Sequence, residues 1–129
     1  MSKKLFAILG LCSVVLTVIL VACGATSTGT SSAPNQVHMN ATNFVQPSIT
    51  IKKGESITLI DDAQDSHIIA NGTWENGTAR PENEHGAPQV ENLQISGSGQ
   101  GTIGPFTTAG TFHFYCTIHS GMNLTVVVQ

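Results

Sequence analysis

The stretch TTAGTFHFYCTIHSGM, Thr107 to Met122, decides how this chain is read. In GTFHFYC, Gly110 to Cys116, the residues alternate: Phe112, Phe114 and Cys116 fall on one side of an extended backbone, His113 and Tyr115 on the other. This pattern predicts a β-strand whose last inward-facing residue is Cys116, at the rim of a core where the chain turns. A turn of a few residues then brings His119 and Met122 back toward the same sulfur. Three side chains able to hold a metal thus come from one loop.

Outward from that strand, the chain continues as short β-prone runs broken by turn residues. SITIKKGESITLI, Ser48 to Ile60, is interrupted at Lys53-Gly54; Ile49 and Ile51 share one face, as do Ile57 and Leu59. HIIA follows Ser66, and NLTVVVQ ends the sequence with a valine-rich run. No window shows helical periodicity. Asn71 to Asn92 is polar and holds much of the Gly, Asn, Glu and Pro, so it is expected to be a long loop with little regular structure. Residues 37–129 are therefore expected to form an all-β domain about the size of a small β-sandwich.

The front of the chain is different. Lys3 and Lys4 precede LFAILGLCSVVLTVILVA, Leu5 to Ala22, a basic start and an apolar run of the kind found in secretory signals. The run ends in LVAC, Leu20 to Cys23, which resembles a bacterial lipobox. Residues 1–22 are thus expected to be a lipoprotein signal peptide, with Cys23 lipidated as the mature N-terminus. Gly24 to Gln36, GATSTGTSSAPNQ, reads as a flexible Ser/Thr/Gly tether spanning roughly 20 Å. The domain is then held at the outer face of the cell membrane.

Cysteine usage and charge narrow the function. Cys12 leaves with the signal and Cys23 carries lipid, so Cys116 is the sole thiol of the domain and has no disulfide partner there. An exported lone thiol is a liability unless it is buried or bound. The chain has five basic and eight acidic residues; losing Lys3 and Lys4 leaves three against eight, a net charge of −5. An acidic domain without a basic cluster does not suit nucleic acid, and a positively charged protein surface is its natural electrostatic partner.

A metal at Cys116, His119 and Met122 needs a further ligand, and His67 in DAQDSHIIA is the candidate. Among the other histidines, His113 points away from Cys116 by alternation, His38 falls in the first strand, and His85 in ENEHGAP is the fallback. Met39 lies beside a polar stretch near the tether and is the weaker choice for a thioether ligand. Asp61, Asp62 and Asp65 are read as a solvated turn ahead of His67. Two imidazoles, a thiolate and a weak thioether form a set that suits copper in electron-transfer sites, because it serves both oxidation states with little rearrangement.

TTAGTFHFYCTIHSGM also resembles the C-terminal signature of the cupredoxins, the small type 1 blue copper proteins such as plastocyanin, amicyanin and halocyanin. VQPSITIKKGESITLI, Val45 to Ile60, is similar to their N-terminal strands, and the two-residue gap between His119 and Met122 resembles the short amicyanin-type ligand loop. The resemblance implies a Greek-key β-sandwich of seven or eight strands with copper near one end. It implies His67, Cys116 and His119 as equatorial ligands and Met122 as the axial one, with His119 near the surface as an electron path. Three positions depart from the pattern: Leu59-Ile60-Asp61 stands where the family often has Trp-x-Asn, Ile68 where Asn often follows the first histidine, and Ile118 where Pro is common.

The function expected is that of a monomeric, membrane-anchored blue copper protein, not an enzyme, carrying single electrons between membrane-associated protein partners. The alternative is copper storage or delivery without redox cycling. The small number of methionines in the domain favours the carrier.

Overall fold

In the computed structural model, which describes residues 34–129, nine strands follow one another: β1 (Gln36–Met39), β2 (Ser48–Ile51), β3 (Ile57–Asp61), β4 (Ser66–Glu75), β5 (Thr78–Pro81), β6 (Leu93–Ser96), β7 (Gln100–Ile103), β8 (Gly110–Cys116) and β9 (Asn123–Val128). They form two sheets. One has the order β1-β3-β7; the other runs β2-β9-β8-β4-β5, with β6 also paired to β4. β1 lies parallel to β3 and β2 parallel to β9, so early strands lie beside later ones, while β3–β7, β4–β8 and β8–β9 pair antiparallel. The signal peptide, Cys23 and residues 24–33 of the tether fall outside the described residues.

Alternation along the strands places the core between the sheets. Val37, Met39, Ile57, Leu59 and Ile103 come from the three-stranded sheet, and Ile51, Ile69, Ile95, Phe112, Phe114, Leu124, Val126 and Val128 from the other. Phe106 lies fully buried among them, edge-on to Phe114 at 5.9 Å between centroids. Met39 is a core residue of β1. β1 begins at Gln36 and Thr58 donates its N–H to the Asn35 carbonyl, so the fold takes in the last residues that composition assigns to the tether.

The polar middle is more ordered than its composition predicts. Within it, residues 72–81 form a hairpin, β4 paired antiparallel with β5 in the register Gly72↔Pro81 to Glu75↔Thr78. Its turn is Asn76-Gly77, both residues at positive φ (48° and 76°), which is the Asn-Gly hairpin turn. This hairpin accounts for the strand beyond the expected seven or eight. It also explains why Tyr115, expected on an outward face, is buried: Trp74 of β4 stands edge-on to it at 6.0 Å.

Candidate metal centre

Strand register brings the first two candidate residues together. On β4, Ile69 stands opposite Cys116 and His67 opposite Ile95 of β6. His67 and Ile69 point to the same face of β4, the face Cys116 shares across the pair. His67 therefore projects just past the end of β8, where the chain leaves the sheet. Thr117 donates to the Ile68 carbonyl (2.8 Å) and fixes that departure.

The loop from Cys116 to Met122 is closed by its own backbone. Cys116 N–H donates to the Met122 carbonyl (3.0 Å), and Met122 N–H to the His119 carbonyl (3.1 Å). Gly121 supplies the positive φ (+81°) this tight return needs. The result places His119 Nδ1 3.5 Å from Cys116 Sγ. One donor atom each from His67, Cys116 and His119 lies within 4.8 Å of the others, the one such histidine, cysteine or carboxylate cluster among the described residues. Met122 is buried at the loop's end.

The chemistry of these residues fits a metal. His67 is fully buried, and neither of its ring nitrogens has a hydrogen-bond partner. Buried polar atoms are seldom left in that state, and a bound cation would satisfy one of them. Burial pushes the His67 imidazole below its usual range, and the neighbouring His119 adds to this; Asp61, Asp65 and the Asn40 backbone pull the other way. A ring held neutral is a ring able to ligate. Cys116 is a buried free thiol, and the rings of His67 and His119 meet edge-on at 5.0 Å.

The other candidates lie elsewhere in the fold. His38 pairs with Asp62 (2.8 Å), His113 with Glu84 (2.8 Å), and His85 is exposed in the loop before β6. Asp62 and Asp65 are solvated as expected, but Asp61 is not. It is 1 % exposed, at the end of β3, with Oδ1 accepting from Ala63 N–H (2.9 Å) and 3.8 Å from His67 Nε2. It is buried because it continues the inward alternation of Ile57 and Leu59, a phase the charge of the Asp61-Asp62 pair masks in the sequence.

Sequence reasoning also passed over Trp74. Its indole N–H donates to the Cys116 carbonyl (2.8 Å), while its backbone exchanges two hydrogen bonds with the Asn123 side chain (2.7 and 3.0 Å). Both ends of the loop are thereby tied to the β4–β5 hairpin. The available signal was that the chain's one tryptophan stands in an otherwise polar stretch.

Comparison with known proteins agrees with this geometry. The family described as copper binding proteins, plastocyanin/azurin family, matches residues 32–129. Plastocyanin of Ulva prolifera is 33% identical over 88 residues, covering 67% of this chain and 86% of that protein. Amicyanin from Paracoccus versutus superposes with a TM-score of 0.55 at 21% identity, over 73% of this chain and 79% of its own. A reduced tryptophan-to-tyrosine variant of amicyanin gives 0.56 at 20% identity, over 77% and 87%. The chain belongs to the plastocyanin/azurin family of copper-binding proteins, the cupredoxins, with copper as its cofactor and copper-based electron transfer, not catalysis, as its work.

Proposed function

We propose that this protein is a lipid-anchored blue copper carrier whose metal would be held by His67, Cys116, His119 and Met122. The observation that carries this reading is the meeting of two imidazoles and one thiol within 4.8 Å, with His67 and Cys116 buried and neither His67 ring nitrogen hydrogen-bonded. Copper bound there supplies a one-electron couple suited to a mixed nitrogen and sulfur donor set. Cys116 and His67 arrive on paired strands, and His119 on a loop pinned at both ends, so the protein fixes the donors before and after electron transfer. His119 is half-exposed and Ile118, beside it, is 50% exposed, which makes this end of the sandwich the place where a protein partner docks.

The lipobox-like LVAC and the tether support attachment through Cys23 at the outer face of the membrane, where a monomeric domain can reach membrane-associated donors and acceptors. Its acidic balance favours partners with a basic docking face. Repeated cycling tests the carrier role. The copper-loaded protein, reduced with ascorbate and reoxidised with ferricyanide, should bleach and recover its colour with no loss of copper over many turnovers. A colourless protein that binds Cu(I) tightly and never develops the oxidised band would instead mark a storage or delivery protein.

A further inference from the structure

Asp61 poses a problem that the copper reading does not by itself solve. A carboxylate 1 % exposed should have its oxygens hydrogen-bonded or paired with charge, because an uncompensated buried charge is expensive. Asp61 Oδ1 has the Ala63 N–H (2.9 Å), but Oδ2 has no partner. Facing it is His67, whose Nε2 lies 3.8 Å from Oδ1 and is likewise unpartnered. Two adjacent buried residues thus face each other with unsatisfied atoms, Asp61 Oδ2 on one side and the His67 ring nitrogens on the other.

One arrangement gives both a role. With Nε2 turned toward Asp61, Nδ1 is the nitrogen left to bind metal, and a neutral ring that ligates through Nδ1 carries its proton on Nε2. That N–H is directed at the Asp61 carboxylate, 3.8 Å from Oδ1. We propose that Asp61 is a positioning residue for the copper centre: its carboxylate holds the tautomer and orientation of His67 and places a fixed negative charge behind it. This inference rests on the reading of His67 as a ligand. Such a carboxylate–histidine–metal relay raises the ligand's basicity. It also favours the ion of higher charge: with the Cys116 thiolate and the Asp61 carboxylate both present, Cu(II) leaves the site neutral, whereas Cu(I) leaves one buried negative charge uncompensated. Asp61 therefore holds the reduction potential down.

Asp61→Asn and Asp61→Ala test this by redox titration of the copper-loaded protein, followed at the visible band. Asn keeps an oxygen for the Ala63 turn and removes the charge; Ala removes both. If the charge acts on copper, both variants shift the Cu(II)/Cu(I) equilibrium toward Cu(I) by about tenfold, a rise of about 59 mV for a one-electron couple. Each should also weaken Cu(II) binding by about tenfold or more. Potentials equal to wild type in both variants, or a shift in Asp61→Ala alone, would overturn the proposal, since the Ala63 turn and not the charge would then be what matters. The thermal midpoint of each metal-free variant separates misfolding from this effect. Absence of the band in the wild type would instead reject the copper ligand set, a result distinct from a band present with unchanged potentials.

Discussion

A buried imidazole with neither nitrogen hydrogen-bonded costs a folded protein on the order of 1–3 kcal/mol for each unsatisfied atom. His67 bears that cost in the metal-free protein, and this gives the metal-free form a defined pH dependence. Its pKa when folded lies below the value of 6.5 it takes when unfolded, burial being the main cause. The unfolded chain is therefore the state that takes up the extra proton. The stability that depends on a neutral His67 is fully present above about pH 6.5 and is lost as pH falls from there toward the lower folded pKa. Thermal midpoints of the metal-free protein should drop between pH 7 and 5, and the drop should be shallower in His67→Gln. For Met122, proposed as a weak axial ligand, a different outcome is expected: Met122→Leu should keep the visible band and raise the potential in a redox titration, whereas loss of copper would mean the thioether does more than tune. That His67, Cys116 and His119 come together was legible in the sequence, because each sits beside a strand or turn signal. The burial of Asp61 was not, since a charge next to another charge reads as solvent-exposed unless the strand phase of Ile57 and Leu59 is carried one step further.

At the level of elements, the β4–β5 hairpin holds the metal loop from outside. Its Asn-Gly turn was a readable signal, but the flanking residues Glu75, Thr78 and Arg80 are polar and largely exposed, so no apolar alternation marks the second strand. The pairing is instead enforced by tertiary contacts: Trp74 against Tyr115 and the Cys116 carbonyl, and Asn123 against the Trp74 backbone. Gly72 makes the close approach possible. It has φ +127°, and a Cβ there would run into the Arg80 carbonyl and within 2.9 Å of Pro81 Cα, both backbone atoms that cannot step aside. Gly72→Ala should destabilise the domain by about 1–3 kcal/mol in denaturant unfolding. Because Trp74 tethers Cys116, the same substitution should also broaden the visible band; an unchanged midpoint would show that the hairpin is not braced this way. The rest of the long polar segment is pinned by side chains whose roles only tertiary structure reveals: Asn71 bridges the Pro88 carbonyl and the Val90 N–H, and Glu84 caps His113.

For the whole molecule, the sandwich was readable from the spacing of short β-prone runs and turns, whereas the parallel pairings β1∥β3 and β2∥β9 were not, because local pattern does not specify which distant strand a run joins. The organisation proposed here is an acidic copper domain on a tether fixed to lipid at Cys23. Cells fed an alkyne fatty acid should incorporate it into the wild-type protein and not into Cys23→Ser, and label retained in the variant would place the attachment elsewhere. The central claim, that Cys116 is a copper thiolate, is tested most directly by the visible spectrum of the purified domain after addition of one equivalent of Cu(II). An intense charge-transfer band in the wild type and in His85→Ala, absent from Cys116→Ser and His67→Ala, is the result predicted; a wild type that binds Cu(II) without that band, or a band that survives Cys116→Ser, would contradict it.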